Sequence, residues 1–227
     1  MSKIAFYGGS FDPVHRGHIA IASKLTEIFG LDAFVFVPAF HAPHKRRTKP
    51  TPGFHRYAML CLATNDETAI RVSSIELDAP ERPYTIETLS QLKTELPDDE
   101  VFFVMGADSW AEITTWYEWR QILSVTHHIV VSRPGYEMGI DHVTDDIRER
   151  IVDLRNRTAT KLPEAGTESR IFFTDSVTID ISSTSIRDMI RENDAHWQQD
   201  VPALVAKYIK KYQIYYNGRN SGKVTHA

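Results

Sequence analysis

The stretch Ile4-Ala5-Phe6-Tyr7-Gly8-Gly9-Ser10-Phe11-Asp12-Pro13-Val14-His15-Arg16-Gly17-His18 decides how the chain is read. Its first four residues predict a short strand covered on both faces, because such a strand reads as a continuous apolar run. Gly8 and Gly9 follow, and without a Cβ they let a ligand approach the backbone closely. After a tight Asp12-Pro13 loop, Gly17 and His18 open a helical pattern that runs to about residue 29. A helix start offers free N–H groups and a partial positive charge, which suits phosphate. His15 and His18 add side chains that hydrogen-bond or carry charge near neutral pH.

Working outward, Ala33-Phe34-Val35-Phe36-Val37 predicts a second buried strand, closed by Pro38. Strand, helix, strand at this spacing means a right-handed parallel crossover. The loops 8–18 and 38–52 then share the carboxyl edge of the sheet, where open α/β sheets bind ligands. The second loop carries Lys45, Arg46, Arg47 and Lys49 with no acid among them, and Pro43, Pro50 and Pro52 make it an aperiodic, mobile loop. Beside a phosphate cradle, such a loop reads as a triphosphate binder.

Further on, residues 54–64 predict a helix, 70–73 a short strand, and 85 to about 96 a helix that Thr85 and Thr88 help to cap. Val101-Phe102-Phe103-Val104-Met105 predicts a buried strand, and Gly106 and Asp108 follow it on the ligand edge, with Asp108 placed for a ribose hydroxyl or a nearby donor. Trp110, Trp116, Tyr117 and Trp119 crowd the next segment, and a break in the helical pattern at 114–117 predicts one ring exposed in the pocket. Residues 129–131 predict a strand, with His127 and His128 at its structural, non-ligand end. Mixed charges suggest one exposed helix over about 144–157 and a polar loop over 158–169, ahead of a strand at 171–173. Ser182, Ser183, Thr184 and Ser185 are N-cap candidates for a helix whose buried face is Ile186, Met189 and Ile190. Capping explains the hydroxyls but not Arg187, and together they read as a second phosphate site. A last helix from 202 to about 215 has Leu204, Val205, Tyr208, Ile209 and Tyr212 as its apolar face, with Lys207, Lys210 and Lys211 opposite.

Composition narrows the classes. The 227 residues suffice for a real α/β core, and 42% hydrophobic with 25% charged residues is ordinary for a soluble globular chain. Net charge −4 gives no global basic field, so nucleic acid is not expected as a partner. The single cysteine, Cys61, rules out an internal disulfide or a Cys-rich zinc site and reads as a small core residue. No apolar stretch approaches the roughly 18 residues of a membrane span, nor is there an apolar leader, so a cytoplasmic chain without membrane contact is expected. No internal repeat or composition break appears. One domain over 1–215 is expected, including a helical part at about 183–215, with a frayed tail over 216–227.

The glycines at the start lack the Lys-Ser/Thr of a Walker A loop and are not a Gly-x-Gly-x-x-Gly fingerprint. The string Gly-Gly-Ser-Phe-Asp-Pro-x-His-x-Gly-His instead resembles the bacterial nicotinate-mononucleotide adenylyltransferases, of the nucleotidyltransferase superfamily with the (H/T)-x-G-H motif. Ile181-Ser182-Ser183-Thr184-Ser185-Ile186-Arg187 resembles that family's second motif, and Pro43-His44-Lys45 stands where it has a triphosphate-covering loop. The resemblance covers about residues 3–215. It implies a Rossmann-like doubly wound parallel sheet with helices on both faces. It also implies attack of the nicotinate mononucleotide phosphate on the α-phosphorus of ATP, with Mg²⁺ riding on the triphosphate and no metal held by the protein alone. On this pattern His15, His18, Lys45 and Arg187 are catalytic. ATP falls to Gly8, Gly9, Ser10, Phe11, His18, Gly106, Asp108, Ile181, Ser182, Ser183, Thr184 and Arg187. The mononucleotide falls to Ser10, Phe11, His15, Lys45, Tyr84, Thr85, Asp108, Trp116 and Tyr117, its pyridine ring on Trp116 and its carboxylate on the N–H groups of Thr85 and Tyr117.

The alternatives are a sister adenylyltransferase with another phosphorylated acceptor, nicotinamide mononucleotide or phosphopantetheine, and a non-catalytic nucleotide sensor. The Tyr84-Thr85 and Thr115-Trp116-Tyr117 elements speak against the phosphopantetheine enzyme, and a sensor has no reason to keep His18, Lys45 and Arg187 together. A class I aminoacyl-tRNA synthetase shares the paired histidines but needs a tRNA-binding domain and a Lys-rich second motif that are absent. A zinc site at His15 and His18 lacks an evident third ligand. Oligomeric state is open, a homo-oligomer among the options.

Overall fold

In the computed structural model, residues 1–40, 51–155, 168–177 and 180–216 are described. The basic loop with Lys45, most of the 158–169 segment and the tail from 217 lie outside them. The described strands are β1 (Lys3–Gly9), β2 (Ala33–Pro38), β3 (Ile70–Val72), β4 (Glu100–Gly106), β5 (His127–Val131), β6 (Ile151–Asp153) and β7 (Ile171–Thr174). They pair in parallel in the order β3-β2-β1-β4-β5-β7-β6. The order runs outward from β1 in one direction and from β4 in the other. That reversal at the β1/β4 boundary opens a crevice at the carboxyl ends of the strands.

Alternation along the strands feeds two cores. Ala5, Phe34, Phe36, Phe102, Val104 and Phe172 face one side, where they meet the helices α1 (Arg16–Phe29), α2 (Gly53–Ala63), α7 (Ser183–Arg191), α8 (Trp197–Asp200) and α9 (Ala203–Tyr212). Phe6, Val35, Phe103, Met105, Val130 and Phe173 face the other, against α3 (Thr85–Glu95), α4 (Ala107–Ala111), α5 (Trp119–Val125) and α6 (Asp145–Arg148). Both faces are therefore covered, as the continuous apolar strands require. Burying one phenylalanine contributes roughly 1.5–3 kcal/mol, so the aromatic rows of β1, β2 and β4 carry much of the sheet's stability.

Four expectations are corrected. Residues 144–157 are not one helix: α6 is four residues long and the chain then forms the edge strand β6 beside β7. Ile151 and Val152 supply the β-branched surface, and the flanking charges suit an edge strand. Cys61 is exposed on α2 rather than in the core. The cap of α3 is set by Tyr84, whose N–H donates to Glu87 at 2.7 Å, while the Thr88 hydroxyl donates to Glu76. On α9 the buried positions are Val205, Ala206 and Ile209, with Leu204 and Tyr212 exposed.

The C-terminal end returns to the beginning of the chain. Tyr215 donates its hydroxyl proton to the buried Asp12 carboxylate at 2.6 Å, and the Thr51 N–H donates to the other oxygen at 3.2 Å. Hydrogen bonds to charged groups contribute about 1.5–3 kcal/mol. Tyr215→Phe is therefore expected to lower unfolding free energy by about that amount, read by urea denaturation with an unchanged m-value.

Candidate active site

A cleft of about 390 Å³ lies at the carboxyl ends of β1, β4 and β5. The chain enters it from β1 through Gly8, Gly9, Ser10 and Phe11, all of which line it. A Cβ at Gly9 would come within 2.8 Å of the Phe11 ring, so the turn accepts no side chain there. Phe11 itself is held at φ 45, an uncommon place for an aromatic residue. It keeps that conformation because its buried ring packs on Tyr7, His18 and Phe36.

The two histidines meet at the start of α1. Their rings lie 3.6 Å apart between centroids, and both line the cleft. The His15 N–H donates to Nδ1 of His18 at 3.2 Å. An acceptor nitrogen carries no proton, so a neutral His18 must hold its proton on Nε2. Burial, followed by the neighbouring His15 and Arg133, pushes the His18 pKa well below the ordinary imidazole value. Burial, then Arg133, lowers His15 to about 4. Both are neutral at physiological pH, and the buried Nδ1 of His15 has no hydrogen-bond partner among the described residues.

These shifts predict a pH dependence of stability. Burial also lowers His128, within β5, to about 3. The unfolded chain protonates each of the three histidines near pH 6.5, whereas the folded chain does so only at lower pH. The unfolded state thus binds more protons over this interval, and stability must fall as pH drops from about 6.5 towards 4. Each unmatched proton costs up to about 1.4 kcal/mol per pH unit. Thermal melts at pH 7.5 and pH 5 check this; an equal or higher Tm at pH 5 contradicts it.

Across the cleft, β4 ends at Gly106 and Asp108 sits in the first turn of α4. A Cβ at Gly106 would lie 2.5 Å from the Asp108 carboxylate, so glycine there lets the carboxylate take its place. Asp108 accepts a hydrogen bond from Nη1 of Arg133, which follows β5. Arg133 was not singled out in the sequence, yet it lines the cleft and is the charge that acts on both histidines. The signal was available, because a polar residue directly after a parallel strand lies on the ligand edge, as Asp108 does. Tyr7 and Ser132 also line the cleft unforeseen. Burial, then Asp108, raises the Tyr7 phenol to about 12, which keeps it a neutral donor, and the buried Ser132 hydroxyl has no partner among the described residues.

The second motif comes to the same edge. Ser182 caps α7 by accepting the Ser185 N–H at 3.0 Å. Ile181, Ser183 and Thr184 line the cleft; Ser182 does not. Arg187 is turned onto the first loop rather than into the cleft. Its Nη1 donates to the Asp12 carbonyl at 2.6 Å and its Nη2 to the Thr184 hydroxyl at 3.0 Å. Ser183 donates to the Pro13 carbonyl at 2.9 Å. The two motifs are thereby fastened together at the cleft's rim.

Tyr84, Thr85, Trp116 and Tyr117 form a separate group that does not line the cleft. Tyr84 and Tyr117 are the exposed rings, at 53% and 56%, and they stack at 4.5 Å between centroids. The exposed ring expected in the pocket is thus Tyr117, and it lies against Tyr84 outside the cleft lining. Trp116 packs half-buried on the second core, its buried indole N–H unpartnered among the described residues. Among the described residues no group of three or more His, Cys, Asp or Glu is placed to hold a metal ion, and no helix is long and apolar enough to cross a membrane.

Comparison with known proteins gives a consistent result. A family model described as cytidylyltransferase-like matches residues 6–189. The chain is 33% identical over 214 residues to a probable nicotinate-nucleotide adenylyltransferase of Corynebacterium glutamicum, spanning 94% of this chain and 88% of that protein. It is 34% identical over 221 residues to another from Desulfatibacillum aliphaticivorans, spanning 94% and 99%. Among solved structures, Plasmodium falciparum nicotinic acid mononucleotide adenylyltransferase complexed with NaAD superposes with TM-score 0.70 at 19% identity, over 95% of this chain and 98% of that one. At that identity the likeness speaks to the fold.

Proposed function

The chain belongs to the cytidylyltransferase-like family and, within it, to the nicotinate-nucleotide adenylyltransferases, and from that membership we propose that it transfers AMP from ATP to nicotinate mononucleotide, giving nicotinate adenine dinucleotide and pyrophosphate in NAD biosynthesis. The carrying observation is the histidine pair at the switch-point cleft, with the His18 proton fixed on Nε2 by the His15 N–H.

A mononucleotide phosphate is already ionised at neutral pH, so the attack needs no general base. One of its oxygens forms a bond to the α-phosphorus, the bond from that phosphorus to the β-phosphate oxygen breaks, and the electron pair leaves with pyrophosphate. Negative charge shifts through the α-phosphate to the leaving group, and catalysis consists of meeting that charge with fixed donors. His18 Nε2–H is such a donor; its ring lines the cleft, half-buried and neutral before substrate arrives. His15, the glycine-loop N–H groups and Lys45 add to it, as does Arg187 once released from the Asp12 carbonyl. Arg133 joins this set from the structure. Asp108 takes the ribose, its carboxylate exchanging Arg133 for hydroxyl donors. Tyr84, Thr85, Trp116 and Tyr117 take the pyridine end, which requires the Tyr84–Tyr117 stack to part. Mg²⁺ would come in with the triphosphate rather than be held by this set of N–H donors, and would supply charge neutralisation on the leaving group. A cytoplasmic location suits a reaction that uses ATP.

The test is pyrophosphate release from ATP with each candidate acceptor. Turnover with nicotinate mononucleotide and formation of the dinucleotide are expected. Release with phosphopantetheine alone identifies the sister enzyme, and ATP binding without release identifies a sensor.

A further inference from the structure

Arg56, on the first turn of α2, is 1% exposed and is among the largest fully buried side chains of the protein. It has no ion-pair partner within bonding distance among the described residues. Its guanidinium is spent entirely on backbone carbonyls: Nε donates to Thr51 at 3.0 Å, Nη1 to Ser10 at 2.8 Å, and Nη2 to Ala39 at 2.7 Å and Phe40 at 3.4 Å. These carbonyls belong to the glycine loop after β1, the chain leaving β2, and the chain leading into α2. The N–H groups of the latter two are held as well. Phe40 donates to Glu76 at 3.2 Å and Thr51 to Asp12 at 3.2 Å.

Burying a guanidinium among carbonyls is a poor route to stability, because an apolar side chain of similar volume does as well or better. Burial indeed lowers the Arg56 pKa, with Asp12, Tyr215 and Glu76 pulling it back. What only a planar fork supplies is simultaneous contact with several segments in a fixed geometry. We infer that Arg56 is a positioning residue for adenylyl transfer, fixing the glycine loop at Ser10 to both ends of the 41–50 segment so that the donors on either side of it keep one spacing. The inference rests on the proposed function for its kinetic consequence, though not for its structural one. Misplacing a reacting group by about 1 Å lowers rate up to about 10²-fold, and Ser10 is two residues from the Gly8 backbone that lines the cleft.

The test compares wild type with Arg56→Lys, which keeps the charge but offers a single nitrogen in place of the fork. Two measurements are made on each: kcat and KM for ATP and acceptor, and amide hydrogen exchange by peptide. With the clamp lost, kcat falls by about tenfold to 10²-fold while KM for ATP changes by less than about threefold. Exchange quickens together in the peptides holding residues 8–12, 39–40 and 51–53, and stays slow in β4 and β5. Glu76→Ala frees the Phe40 N–H, together with the Thr88 hydroxyl on α3, and must show the same signature in weaker form; it serves if Arg56→Lys does not fold. An unchanged kcat per folded molecule overturns the inference, as does exchange that quickens across the whole sheet or a loss carried wholly by KM. If wild type itself releases no pyrophosphate, the proposed function fails, and the exchange pattern alone upholds or overturns the clamp.

Discussion

His18→Ala is expected to lower turnover by roughly 10²–10⁴-fold, the range for removing a donor aimed at charge that develops in the transition state. Three observations set the size of the effect. The His18 proton is confined to Nε2 because the His15 N–H occupies Nδ1. The ring is half-buried in the cleft wall, which keeps it neutral before substrate arrives and makes a hydrogen bond to new charge stronger than it would be in water. Its orientation is fixed by Phe11, Tyr7 and His15, so no reorganisation is needed during the step. ATP binding should change far less, since most contacts to a triphosphate lie elsewhere. Steady-state kinetics with parallel ATP titration checks both halves. Turnover within about twofold of wild type removes His18 from the mechanism.

Nicotinate mononucleotide is expected to be used in preference to nicotinamide mononucleotide by at least about 10²-fold in kcat/KM, a difference typical of mismatched buried polar groups. A carboxylate only accepts hydrogen bonds, whereas an amide also donates. At the start of α3 the Glu87 and Thr88 N–H groups already donate to the Tyr84 carbonyl, which leaves those of Thr85 and Ile86 as the donors without a carbonyl one turn earlier in the helix. An amide NH₂ turned towards them meets a donor, while a carboxylate is bound and also favoured by the helix dipole. Trp116→Ala should raise KM for both acceptors, because stacking of a base on an aromatic ring contributes about 1–3 kcal/mol. Competition between the two acceptors measures the preference. Equal use of both, or an unchanged acceptor KM in Trp116→Ala, moves the pyridine site elsewhere.

The fold was legible where burial on both faces left a continuous apolar run. The strands β1, β2, β4 and β7 each have such a run, and the glycines that close β1 and the histidines that follow it in the sequence line the cleft. β6 was not legible. An edge strand of three residues buries little, so its pattern of Ile151 and Val152 among charges is indistinguishable from a helix face. Cys61 misled for a related reason, since its helix exposes one side and a small apolar residue there carries no mark of which side it is on. In the candidate site, placement carried by local motifs was readable: His15, His18, Asp108, Ser183 and Thr184 line one cleft. Arg133 and Arg56 act through geometry between distant segments, and a lone arginine in sequence does not say which carbonyls it will meet. Arg187 was read as a phosphate ligand, yet it also ties Asp12 to α7, a bond across 175 positions that no local pattern encodes.

The bond between Tyr215 and Asp12 sets a clock on synthesis of this protein. The loop that begins the cleft leaves the ribosome well ahead of the helices that fasten it, and its buried carboxylate meets its hydroxyl partner 203 residues later. At about 5–20 residues per second this interval is roughly 10–40 s. During that time Asp12 lacks its partner and the histidine pair beyond it is joined to a loop not yet fastened down. A nascent chain released or stalled before Tyr215 emerges would carry every motif of the active site without the bond that holds the first of them, so catalysis should switch on late and all at once rather than grow with chain length.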